Sequence, residues 1–273
     1  MVLLKSRIKK LFDFYLNSSI HVALAVTSFT AITMFNLRLP LDADLLYFVL
    51  FSTIIGYNIT KYTGSHESHE AGTAPSINIL FFSLICLFPL LYFFTTQPWP
   101  VIFISGLMGL ITISYSWPFL WRRSNLREIT GLKIFVIAFV WSMVTVILPV
   151  LSDGSHIDRN LIIEFIQRFI FVLVLTLPFD IRDVQFDTYQ LGTIPQIIGI
   201  KRTRVMGVIL ICLVVLAEFL KTPLLLDQAF ILAGISVLTA FFLMRSVVKQ
   251  TQYYASFWVE SIPIIWCGIL ILL

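Results

Sequence analysis

The sequence predicts an all-α fold that crosses a membrane many times, and three observations predict it. The 273 residues are 58% hydrophobic and 12% charged, with a mean hydropathy of +0.93, whereas soluble domains run at about 45–50% apolar and about 25% charged. Apolar runs that reach or approach the roughly 20 residues of a membrane-crossing helix recur along the whole chain. Lysines and arginines gather in alternate loops between those runs. This composition excludes an ordinary water-soluble enzyme, a disordered chain and a nucleic-acid-binding domain. The net charge of +4 and the pI near 9.0 fit loops that face anionic lipid.

The elements follow in order. In residues 1–18, Leu4, Ile8, Leu11, Phe12 and Tyr15 fall at helical spacing while Lys5, Lys9 and Lys10 point elsewhere. That pattern predicts a short amphipathic helix on the cytoplasmic membrane surface. The apolar stretch behind it continues to Phe35, longer than the roughly 7–15 residues of a cleavable signal segment, so it is expected to stay as the first span. Nine spans are predicted, at 20–35, 44–61, 77–95, 99–119, 129–151, 161–179, 205–220, 226–244 and 257–273. Together they form one domain, 19–273, a helical bundle around a central cavity open to the cytoplasmic side.

With the N-terminus in the cytoplasm, fourteen of the 19 Lys and Arg residues lie in inside segments and three, Arg38, Arg159 and Lys221, lie outside. Lys133 and Arg168 fall within spans. A bias of this size supports a cytoplasmic N-terminus, an outside C-terminus and a place in a cell membrane. The long polar loops, 60–76, 120–130 and 180–204, all belong to the inside, which makes that the working face, since long loops carry function and short ones join helices. Cys86, Cys212 and Cys267 each sit in a different apolar run and suggest neither a disulfide framework nor a metal pair.

Chemistry concentrates where the sixth span meets the cytoplasm, in Pro178-Phe179-Asp180-Ile181-Arg182-Asp183-Val184-Gln185-Phe186-Asp187. At ~100° per residue, Asp180, Asp183 and Asp187 fall within roughly a 60° arc of one helix face. Three like charges on one face call for a cation, and hard carboxylate oxygens suit Mg²⁺, which completes its shell with water and phosphate oxygens. A solvated acidic helix end is the alternative. The Gly- and Pro-punctuated stretch 192–204 follows, ending in Lys201, Arg202 and Arg204. Its cations suit a diphosphate, and inside-loop charge accounts for them equally well.

These residues carry a family resemblance. The Asp180–Asp187 block, followed by Ile194-Pro195 and Gly199, resembles the second aspartate-rich motif of the UbiA superfamily of intramembrane prenyltransferases. Tyr115-Ser116-Trp117-Pro118, with Leu126-Arg127 and Gly131-Leu132-Lys133, is similar to that family's segment after the fourth span. The resemblance implies Mg²⁺-dependent transfer of a prenyl group from an isoprenoid diphosphate to a lipophilic acceptor, of the aromatic or quinone-precursor kind, within membrane lipid. It implies Asp180, Asp183 and Asp187 as metal ligands. It also implies Asn58, Lys61, Tyr115, Lys133, Lys201 and Arg202 as diphosphate-binding residues.

The family's first motif, roughly Asn-Asp-x-x-Asp-x-x-x-Asp, is degenerate here. Asn58 is present, while Ile59, Tyr62 and His66 stand at the aspartate positions. Two alternatives therefore stay open: a non-catalytic relative that binds or carries a lipophilic molecule, and a terpene cyclase using the same ionisation. His66-Glu67-Ser68-His69-Glu70 lacks the H-E-x-x-H spacing of a zinc protease and reads better as a solvated loop than as replacement metal ligands. Among the remaining ionisable residues, Glu164 and Arg168 form an i,i+4 pair able to satisfy itself, and Glu260 is expected to find an internal partner. His21 and His156 read as lone structural histidines. The 25 phenylalanines scatter along the spans as packing or lipid-facing residues.

Overall fold

Helix follows helix from the first residues. The structure, a computed structural model, describes residues 2–63, 77–116, 131–185 and 192–273, with side chains from 7–62, 77–114, 131–185 and 192–273. Helix α1 (Val2–Asn17) is bent by 52° from α2 (Ile20–Asn36). Ser19 makes the bend with a left-handed backbone, φ 62°. Then come α3 (Ala43–Thr63), α4 (Ile77–Thr96) and α5 (Trp99–Ser116). The next segment is composite: α6 (Leu132–Ser142), a π-helical turn over Met143–Ile147, and α7 (Leu148–Asp153). Pro149 begins α7, and a proline lacks the N–H that would continue the α-helical ladder backwards.

Helix α8 (Arg159–Asp183) is the longest, and Asp158 caps its start by accepting from the Leu161 N–H at 2.8 Å. The short α9 (Ile194–Ile198) leads into α10 (Ile200–Glu218). Pro195 sits at the start of α9, and Gly199, at φ +81°, makes the joint between the two. After α11 (Leu226–Arg245), a π-helical segment (Tyr254–Val259) leads into α12 (Ile262–Leu272). All regular structure among the described residues is helical.

Six segments, 43–62, 77–96, 132–153, 159–183, 226–245 and 254–272, are each long and apolar enough to cross a membrane, and the bent α1–α2 pair makes a seventh when taken as one span. This is a multi-pass integral membrane protein. The remaining two long helices, α5 and α10, complete nine helical segments among the described residues, one at each predicted span. Helix α10 differs in carrying Lys201, Arg202 and Arg204 close to its start.

Helix α8 runs through the middle and packs on α6, α10 and α11. Gly207 lets α10 come close: a Cβ there would lie 2.3 Å from Leu243 Cδ2 and 2.9 Å from Leu177 Cδ1. The centre of the bundle is aromatic, with Phe29 stacked edge-on against Trp141, Phe171 and Trp266 at centroid distances of 5.8–6.2 Å. Packing of this kind adds to the dispersion gain of the apolar core.

Below those rings lies a buried charge network. Arg168, fully enclosed, donates to Glu164 Oε1 at 3.0 Å, to the Phe29 carbonyl at 2.7 Å and to Thr33 Oγ1 at 3.2 Å, with its guanidinium 4.2 Å from the Phe29 ring centre. The i,i+4 pair expected from sequence is therefore present. It is also part of something larger. Lys221, predicted as an outside-loop cation, turns inward and bridges Glu164 at 2.6 Å and Glu218 at 2.8 Å. Gln167 donates to Glu218 at 2.9 Å, and Asn36 donates to Glu164 at 3.1 Å. Burial disfavours the Lys221 ammonium, and the two carboxylates beside it outweigh that cost and hold its pKa above the ordinary lysine value.

At the opposite end α1 is fastened on two sides. Asn58 on α3 accepts from Ser19 Oγ at 2.7 Å and donates to the Ser18 carbonyl at 3.2 Å and to Ser83 Oγ on α4 at 2.8 Å. Tyr253 donates to Asp13 at 2.5 Å, and Phe12 meets Tyr253 and Phe257 edge-on, each at 5.0 Å. His21, which shows no partner in the sequence, has several here. Tyr15 bonds its Nδ1 at 2.7 Å, and its Nε2 lies 3.0 Å from the Phe257 carbonyl.

Candidate functional site

The second aspartate motif closes α8. Its carboxylates Asp180 and Asp183 stand three residues apart, and α8 ends at Asp183. Asp187 lies outside the described residues, so the shared helix face is seen for the first two. The two differ in their surroundings. Asp180 is buried, 2% exposed, and its Oδ1 lies 3.2 Å from Lys133 Nζ. Asp183 is 22% exposed and is gripped by its neighbour Arg182 through Nε at 2.7 Å and Nη2 at 3.2 Å.

Lys133 stands two residues after a glycine that starts its helix. Gly131 takes a left-handed backbone, φ +72°, to start α6, and its missing Cβ would stand 3.6 Å from the Gly192 carbonyl. Gly192 also has positive φ, a conformation that glycine adopts at little cost. Two segments far apart in sequence, Gly131-Leu132-Lys133 and the stretch after the aspartates, therefore meet at one end of the bundle. Gln196 accepts from the Thr193 N–H at 2.9 Å to start α9. Two contacts that the sequence does not reveal support this end. Gln250 donates to the Pro178 carbonyl at 2.7 Å, and Arg204 donates to the Ser246 carbonyl. No local pattern signals either contact, since both depend on a loop more than forty residues away.

The other predicted site residues are placed differently. The Asn58 amide is engaged at both its oxygen and its nitrogen in the bonds that hold the α1–α2 bend. Lys61 points to Asn17 Oδ1 at 3.3 Å, and Tyr62 donates to the Asn17 carbonyl at 3.0 Å. The α3 end that carries the degenerate first motif thus serves as an anchor for α1. Lys201 and Arg202 are exposed at the start of α10, at the same end as Asp180. The Tyr115 side chain lies outside the described residues, as do His66, Glu67, His69 and Glu70.

No group of three or more metal-ligating side chains occurs among the described residues. Asp180 and Asp183 nonetheless supply hard oxygen donors in the number that Mg²⁺ takes from a protein when a phosphate fills the rest of its shell. The donor set fits that ion. Any ligation would compete with Lys133 and Arg182 for the same oxygens.

The aromatic centre is partly committed as well. Arg168 already occupies the face of Phe29 at 4.2 Å and lies 5.8 Å from Trp266. The Trp141 Nε1–H donates to Tyr57 Oη at 2.7 Å, closer to the aspartate end.

The described helices form a membrane bundle with a carboxylate–cation face at one end. Comparison with solved structures finds a chain of the same fold. The chain is similar to a structure of digeranylgeranylglyceryl phosphate synthase in membranes, with a TM-score of 0.54 and 15% identity over 97% of this chain and 96% of that one. The two chains share a fold over almost their whole lengths. A scan against protein-family models and a search of curated proteins return no match.

Proposed function

We propose that this protein transfers a prenyl group from an isoprenoid diphosphate to a lipophilic acceptor within the membrane, with Mg²⁺. The observation that carries the reading is the meeting of Lys133 with Asp180, which joins the two motif segments at one end of the bundle. Asp180 and Asp183, with Asp187 beyond them, hold the metal. When bound, Mg²⁺ neutralises charge on the departing diphosphate. Lys133, Lys201 and Arg202 add fixed positive charge around the same oxygens, and Tyr115 lies on the segment that the resemblance places beside them. The enclosure of Asp180 strengthens the interactions made there. The electron-rich acceptor attacks the allylic cation that remains and then loses a proton. Asn58 and Lys61 hold α1, and this leaves the diphosphate to the second-motif side.

The topology belongs to the same proposal. Residues 1–18 lie on the cytoplasmic surface, and 19–273 form one nine-span domain in a cell membrane, its working face cytoplasmic and its C-terminus outside.

The structural likeness to a prenyl-lipid synthase and the pairing at Asp180 support the enzyme. The test is Mg²⁺-dependent release of diphosphate from geranylgeranyl or longer polyprenyl diphosphates by the purified protein in detergent. One observation favours a second reading, a carrier that kept the scaffold. The α3 end, where the first metal motif belongs, is spent on anchoring α1. Binding of a prenyl diphosphate without release across chain lengths and acceptors selects that reading. Release without an acceptor, giving a hydrocarbon product, selects a cyclase.

A further inference from the structure

The start of α10 and the end of α11 lie side by side, tied by the bond from Arg204 to the Ser246 carbonyl. Two cations meet there, Arg204 and Arg245 in the last turn of α11, and Lys249 follows in the loop beyond. Arg245, one residue before the Ser246 that Arg204 grips, lies 5.4 Å from the centre of the Phe241 ring. No ion pair joins any of the three to a carboxylate among the described residues. Uncompensated like charges repel, and the patch calls for an anion.

The Arg204 guanidinium shows where the anion belongs. One of its terminal nitrogens is used on Ser246, while its Nε–H is enclosed with no hydrogen-bond partner among the described residues. Buried donors without acceptors are rare and point to a missing water or ion. A guanidinium edge matches two phosphate oxygens at once. The apolar side chains beside these cations are exposed: Val205 56%, Phe241 53% and Met244 50%. A ligand that satisfies both must bring a phosphate and hydrocarbon together, at the boundary where a membrane helix ends.

We propose that the α10–α11 end binds the headgroup phosphate of one anionic phospholipid, with Arg204 and Arg245 on the phosphate and the acyl chains along Val205, Phe241 and Met244. Its phosphate ligands, Arg204 and Arg245, are other residues than the Lys133, Asp180, Lys201 and Arg202 of the proposed diphosphate site, and it stands whether or not the protein is a prenyltransferase. Lys249 adds long-range attraction from the loop.

The test uses the full chain reconstituted in phosphatidylcholine nanodiscs containing a minority of phosphatidylglycerol, released into mild detergent and weighed by native mass spectrometry. One phosphatidylglycerol should stay bound in preference to phosphatidylcholine. The double variant Arg204→Gln, Arg245→Gln should lose roughly thirtyfold in that preference, from two charges that each contribute about fivefold at an anionic lipid surface. Arg245→Gln alone leaves the Arg204–Ser246 bond in place and should lose roughly fivefold, which separates binding from any folding defect of the double variant. Equal retention of the two lipids, or unchanged retention in the Arg245→Gln protein, overturns the proposal. So does displacement of the bound phosphatidylglycerol by an equal amount of geranylgeranyl diphosphate or inorganic diphosphate, which would reassign these cations to a soluble or substrate phosphate.

Discussion

Asp180 and Asp183 share a helix face and differ in accessibility. Asp180 is enclosed and paired across the bundle with Lys133, while Asp183 is partly exposed and paired with an arginine on its own turn. The more accessible carboxylate is the easier one to hand to a metal. Asp183→Asn should therefore abolish Mg²⁺-dependent turnover, through loss of several kcal/mol of transition-state charge stabilisation, read as kcat/KM for diphosphate release. Glu67→Gln and Glu70→Gln should leave turnover near wild type. If they prove as damaging as Asp183→Asn, the 66–70 loop is the replacement first site and the assignment to the second motif is wrong. Asn58 gives a contrasting expectation. Its three hydrogen bonds hold Ser18, Ser19 and Ser83, so Asn58→Ala should cost about 1–3 kcal/mol of stability by leaving buried partners unsatisfied. Thermal unfolding in detergent checks it, with the KM for diphosphate substrate expected to change little.

At the scale of elements, the charge network fastens the far ends of α2, α8 and α10. It lies sixteen residues along α8 from Asp180, ~24 Å at 1.5 Å per residue, so its loss should act on stability before activity. Lys221→Met leaves Glu164 and Glu218 without their shared cation and should cost about 3–5 kcal/mol, the usual penalty for removing one partner of a buried ion pair. The pH dependence has a definite sign. A lysine whose pKa is raised by folding contributes stability that is complete below its unfolded value and is lost as pH rises through the folded one. Wild-type protein should thus lose stability on the alkaline side, above about pH 10.4, by an increment absent from Lys221→Met. Melting temperatures measured across that range decide it.

For the whole molecule, the burial of Lys221 sharpens the charge asymmetry, since one of the three cations assigned to the outside loops is an internal residue. Arg38 and Arg159 then face at least a dozen inside cations, which favours the cytoplasmic N-terminus. A reporter fused after Asp153, the last residue of α7, should report the outside compartment. A cytoplasmic signal there would invert the topology and move the aspartate end to the other face. The bend at Ser19 also belongs to this scale. It turns α1 away from α2, and the anchors from α3 and from the loop before α12 hold it in that position.

The sequence by itself determined that the chain is an all-helical membrane protein, where its long helices fall, and that Asp180 and Asp183 share a face. It also showed that Glu164 and Arg168 would pair. Each of these rests on composition or on spacing within one helix, where geometry follows from 3.6 residues per turn. The tertiary structure decided the rest. Lys133 meets Asp180 across 47 positions, where Gly131 and Gly192, both at positive φ, bring their loops to one end of the bundle. Asn58, which reads as a remnant of a metal motif, is bound into the α1 anchor, and Lys221, which reads as a loop charge, completes an internal network. No local pattern encodes such partners. They arise from which helix ends come together, and burial then makes an unpaired polar group too costly to leave alone.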